Sequence, residues 1–96
     1  MKETRLMRVP SYSTRFHRDI KRLQKRGKDF EKLKKLIQLL LADEALPPQY
    51  KDHPLRANWS GYRDAHVEPD WVVIYSANST QVHFERTGTH EELFEE

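Results

Sequence analysis

The chain has 96 residues, too few for more than one core, and it reads as a single domain over residues 1–96. With 36% hydrophobic and 33% charged residues and no cysteine, it excludes a disulfide scaffold and a thiolate metal site, and it leaves only a small core. The net charge of +2 conceals an asymmetry: residues 1–35 carry a net +9 and residues 36–96 a net −7.

Charges run throughout Met1 to Ile20, which argues against a secretory signal. The longest apolar run, Leu36 to Ala42, is far shorter than the roughly 20 residues of a membrane span, so a cytoplasmic protein without membrane contact is expected. Thr4 to Val9 alternates weakly and stops at Pro10, which suits a short first strand. Ser11 or Ser13 can cap a first helix running to about Arg26, where Gly27 ends it. Tyr12, Phe16, Ile20 and Leu23 recur at helical spacing and are expected to face the core. Arg15, Arg18, Arg22 and Lys25 recur at similar steps as a separate basic stripe. Such a stripe is either a docking surface for a polyanion or a solvated face.

Asp29 can cap a second helix to about Asp43, with Phe30, Leu33, Leu36, Ile37, Leu40 and Leu41 inward. Only Gly27 and Lys28 separate the helices, so they form a hairpin. Pro47 and Pro48 break the helical pattern and open a loop through His53-Pro54. Three strands follow: Tyr62 to Val67, Trp71 to Tyr75 and Gln81 to Arg86, with turns at Pro69-Asp70 and over Ser76 to Thr80. Thr89 to Phe94 suits one short helical turn. The order βααβββ predicts an α+β fold, a two-helix hairpin on one face of a small, mostly antiparallel sheet.

The C-terminal half concentrates His53, His66, His90, Asp64, Asp70, Arg63 and Arg86. Cleaving RNA through its own 2′-hydroxyl needs a base for that hydroxyl, an acid for the leaving 5′-oxygen and cations around the phosphate. Histidine serves as base or acid near neutral pH, and arginine holds two phosphate oxygens. His17 and His83 suit surface or structural places, and His66 and Asp70 could equally be cap and turn residues. The spacings of His53, His66, Asp70 and His90 match no compact metal motif, so neither a metal nor a cofactor is expected. Trp71 suits the core. Phe94, near the end of a polar tail, either stacks on a base or packs back on the sheet.

The runs Tyr50-Lys51-Asp52-His53-Pro54-Leu55, Gly61 through Trp71 and Phe84 through His90 resemble the YafQ branch of the RelE-type toxins of bacterial toxin–antitoxin pairs. The resemblance covers nearly the whole chain and implies a RelE-like βααβββ fold. It also implies metal-independent endoribonuclease activity on mRNA in the ribosomal A site. Expected partners are a cognate antitoxin, the ribosome with its RNA, mRNA and, through the antitoxin complex, operator DNA. By the same resemblance His90 is the general acid, His53 and Asp70 deprotonate or orient the 2′-hydroxyl, and His66 and Arg86 hold the phosphate. Phe94 is the stacking aromatic, and Arg63 and Asp64 orient neighbours. The acidic tail Glu95-Glu96 departs from the family pattern. A non-catalytic RNA- or protein-binding module of the same fold is the competing reading. A DNA-binding repressor lacks a helix-turn-helix pattern.

Overall fold

The structure, a computed structural model, describes residues 7–94. A five-stranded sheet carries the fold, in the order β1-β5-β4-β3-β2. Its strands are β1 (Val9–Tyr12), β2 (His53–Pro54), β3 (Arg63–Glu68), β4 (Trp71–Ala77) and β5 (Gln81–Gly88). The pair β1–β5 is parallel and the other three pairs are antiparallel. Two helices, α1 (Thr14–Lys25) and α2 (Phe30–Leu41), lie between β1 and β2 in the chain, and a five-residue helix α3 (His90–Phe94) follows β5.

The first strand differs from its expected place. Of the span Thr4 to Val9, residues 4–6 lie outside those described, and the observed strand runs through Pro10 to Tyr12. Proline is tolerated because β1 is an edge strand. Val9 N donates to Thr80 O and Ser13 N to Phe84 O, so alternate nitrogens face β5 and that of Pro10 faces away. Tyr12 therefore belongs to β1 and not to a helix face. It is 39% exposed, with its ring stacked on Phe84.

Ser13 caps α1 by accepting from Phe16 N, and Asp29 caps α2 by accepting from Glu31 N. Gly27 ends the first helix at φ +74°, a conformation that costs a glycine little. Phe16, Leu23, Leu33, Leu36 and Leu40 meet Ala65, Trp71, Val73, Tyr75, Val82 and Phe84 in the main core. Val72, Ile74 and Leu93 form a second cluster, joined by Leu55, Trp59, Tyr62 and Phe94. Every residue of β4 from Trp71 to Tyr75 is buried, since this strand has strand neighbours on both sides and side chains packed on both faces. That explains its unbroken apolar run. Strand β2 escaped the sequence reading because two residues carry no periodicity. Among the described residues no helix is long and apolar enough to cross a membrane.

Candidate functional site

Alternation along β3 divides its side chains. Ala65 and Val67 join the helix-side core, while Asp64 and His66 stand opposite Ile74 and Val72 of the second cluster. Helix α3 packs on that same cluster through Leu93, which brings His90 to His66 with ring centroids 5.1 Å apart. His90 Nδ1 is also 3.7 Å from Asp70 Oδ1, and the His90 ring is 5.8 Å from that of Phe94. The aromatic sits between the two readings of it: half-buried, edge-on to Trp59 and beside His90.

His53 enters from β2. Lys51 closes the preceding turn in a left-handed conformation (φ 47°), and its carbonyl lies 2.9 Å from His53 Nδ1. A carbonyl only accepts, so Nδ1 carries the hydrogen and Nε2 is the basic nitrogen of the neutral ring. Asp64 Oδ1 is 3.1 Å from the same Nδ1, yet the hydrogen is directed to Lys51 and that carboxylate oxygen has no hydrogen-bond partner. Asp64 is 2% exposed. Burial pushes its carboxyl above the usual range, partly offset by the charges of His53, His66 and His90. All three histidines thus surround one buried, under-satisfied acid. Asp64, His66 and His90 each offer one ligand atom within 4.8 Å of the others, so these are the residues that could hold a metal ion. Sequence spacing could not show this set, because it is assembled across β3 and α3.

The remaining candidates lie in other networks. Arg86 gives Nε and Nη2 to the buried Asp19 of α1, at 2.7 and 3.0 Å. Arg22 and the amide of Thr87 bond the same carboxylate. Burial raises the Asp19 pKa, but Arg86, Thr87 and Arg22 more than offset this and hold it below the usual range. Arg63 pairs with Asp52, which also accepts from the Tyr75 hydroxyl. On α1, Arg15, Arg18 and Lys25 are exposed. Arg22 is half-buried and turned to Asp19 and Glu92, so the stripe facing solvent is shorter than its spacing suggested. His83 links Ser11 to Glu85, the structural place expected of it.

A family model described as the bacterial toxin of type II toxin–antitoxin system, YafQ, matches residues 8–95. The chain is 52% identical to the mRNA interferase toxin YafQ of Escherichia coli strain K12, over 93% of this chain and 98% of that one. The crystal structure of YafQ from E. coli strain BL21(DE3) superposes with a TM-score of 0.87 at 53% identity, covering 91% of this chain and 98% of that one. The toxin in the E. coli DinJ-YafQ toxin–antitoxin complex gives 0.86 at 52% identity, covering 93% and 99%. The helix pair, the sheet and the three-histidine site thus sit on a chain that belongs to the YafQ family of type II toxin–antitoxin toxins.

Proposed function

We propose that this toxin is a metal-independent endoribonuclease that cuts mRNA in the ribosomal A site, as the mRNA interferase name of its relatives suggests. The observation that carries the reading is the gathering of His53, His66 and His90 around Asp64, with Asp70 beside His90. In the reaction, His53 Nε2 takes the proton of the 2′-hydroxyl, and O2′ attacks the adjacent phosphorus. The P–O5′ bond breaks and O5′ receives a proton from His90. The products are a 2′,3′-cyclic phosphate and a 5′-hydroxyl. The nucleophile comes with the substrate, so this route requires no Lewis acid.

The geometry favours this division of roles. His53 donates through Nδ1 to Lys51, leaving Nε2 as the acceptor a base needs. Asp70 Oδ1 lies 3.7 Å from His90 Nδ1, close enough to orient the imidazole of an acid. Asp70 is therefore assigned to orienting His90 and His53 to deprotonation. His66 stabilises the phosphate, and Arg86 contributes through Nη1, since Nε and Nη2 serve Asp19. Phe94 stacks on a base beside the cut. Arg15, Arg18 and Lys25 dock on ribosomal RNA, and Arg63 holds the Asp52 loop that leads into His53.

The toxin acts in the cytoplasm and is held inactive by a cognate antitoxin, as the DinJ-YafQ complex suggests. Together they bind operator DNA. The apolar groove of Tyr12, Phe30, Leu33 and Ile37, edged by Glu31, Lys34 and Gln38, suits the apolar face of an amphipathic antitoxin segment. Incubation with ribosomes programmed with a defined mRNA, followed by analysis of the ends, tests the reading. A 5′-hydroxyl and cyclic phosphate, lost in His90→Ala, are expected. Binding to programmed ribosomes with intact mRNA would favour the non-catalytic module instead.

A further inference from the structure

Helix α3 is too short to hold itself together, yet it carries His90 on its first residue. The start of a helix is where fraying begins, so something must fix the turn at Thr89. That turn is closed by a reciprocal pair: Glu92 N donates to Thr89 Oγ1 at 3.1 Å, and Thr89 N donates to Glu92 Oε1 at 3.0 Å. The same carboxylate is gripped from α1. Arg22 Nη2 lies 3.3 Å from Oε1, Arg22 Nε lies 3.1 Å from Oε2, and Arg26 bonds Oε2.

A second observation places this bridge at the centre of the local design. A Cβ on Gly88 would stand 2.7 Å from Glu92 Oε1 and 2.8 Å from Arg22 Nη2, so any side chain there collides with the bridge. Gly88 has an ordinary backbone conformation, so its missing side chain is explained by the crossing and not by the turn. Burial raises the Glu92 pKa, but the Thr89 amide and the two arginines bring it down to about 2, so the bridge stays charged at neutral pH.

We propose that Glu92, anchored by Arg22 and Arg26, is a positioning residue that sets the placement of His90 against His66 and Asp70. Neither the carboxylate nor the guanidinium groups need touch RNA. They act by fixing the first turn of α3 to α1, and so the proton donor to the sheet. The inference deepens the proposed reaction and rests on His90 being its acid.

The test uses Glu92→Ala, Glu92→Gln, Arg26→Gln and, without any change of charge, Gly88→Ala. For each, ribosome affinity, single-turnover cleavage at saturating ribosomes, melting temperature and the NMR resonances of the His90 ring in the free toxin are measured. Glu92→Ala is expected to slow cleavage by about 10- to 100-fold, the scale of a small misplacement, with ribosome affinity unchanged and the His90 resonances shifted. Glu92→Gln keeps the cap but loses charge, and should recover part of the rate. Gly88→Ala should shift the same resonances. If Glu92→Ala melts lower yet cleaves at the full single-turnover rate, Glu92 is only structural and the proposal falls. Unmoved His90 resonances in all four variants overturn it as well. If His90→Ala itself cleaves normally, the assignment of the acid fails. The ring resonances then still decide whether Glu92 positions His90.

Discussion

His66 and His90 stand ring to ring at 5.1 Å, one from the middle of β3 and the other from the first residue of α3. Their approach depends on the second face of the sheet, where Leu93 anchors α3 on Val72 and Ile74. His90, the proposed proton donor of this pair, is the most direct point of attack. His90→Ala should lower single-turnover cleavage by about 10²- to 10⁴-fold, with ribosome binding and melting temperature nearly unchanged. The exposed position of His90 is why stability should not suffer. Cleavage within threefold of wild type would remove His90 from the mechanism.

Asp64 makes the opposite kind of prediction. Its folded pKa lies above the ordinary 3.8, so the unfolded chain ionises first and the buried charge costs stability at neutral pH. The cost grows as pH rises through the folded pKa. Asp64→Asn keeps the shape and removes the charge. It should raise the melting temperature at neutral pH by a few degrees and slow cleavage by about tenfold or more. A thermal scan and a cleavage assay on the same sample check both signs.

Glu92 and Asp19 behave in reverse. Their folded pKa values lie below their ordinary ones, so their contribution is present at neutral pH and is lost as acid protonates them. For Glu92 the window runs from about 4.5 down to about 2. Urea titrations at stepped pH should show a steeper loss of stability across that window in wild type than in Glu92→Gln. Equal slopes would mean that the bridge contributes nothing.

Metal should inhibit the enzyme, since any ion on Asp64, His66 and His90 removes both histidines from proton and phosphate chemistry. Cleavage should survive chelation on ribosomes kept intact by polyamines, and added zinc should slow it. Activity that vanishes under chelation and returns with zinc would overturn the proposed mechanism.

Docking separates from chemistry on α1. Replacing Arg15, Arg18 and Lys25 with Gln should weaken ribosome binding and reduce the slope of log affinity against log salt by about one per lost phosphate contact, while cleavage in the bound complex persists. Normal binding would mark the stripe as a solvated face. Arg22 must be left out of this set, because its loss would also disturb Asp19 and Glu92.

Much of this arrangement is written in local patterns. Helix spacing, the serine and aspartate caps and the unbroken apolar run of β4 each report a local environment, and each corresponds to an observed element. The strand expected over Tyr62 to Val67 corresponds to β3, whose period-two alternation puts Asp64 and His66 on one face. What the chain could not announce was depth. Asp64 is a surface residue by type, and only the meeting of β2, β3 and α3 buries it. The partners of Arg22 and Arg86 were hidden for a similar reason, since Asp19 and Glu92 lie far from Arg86 and Arg22, respectively, in sequence and are joined to them only by packing. The first strand was misplaced because Pro10 ends strands in the interior of a sheet and not at its margin.

That margin has a counterpart. Leu55 N donates to Tyr62 O, so Pro54, one residue earlier in β2, turns its nitrogen away from β3, just as Pro10 turns its own away from β5. Both outermost strands therefore present an imino nitrogen where a neighbouring chain would seek a hydrogen. A toxin released abruptly from its antitoxin, and crowded among its own copies, is thereby denied the ladder along which sheets polymerise. Its freed molecules should remain dispersed and ready to act, with ordered fibrils suppressed at both rims.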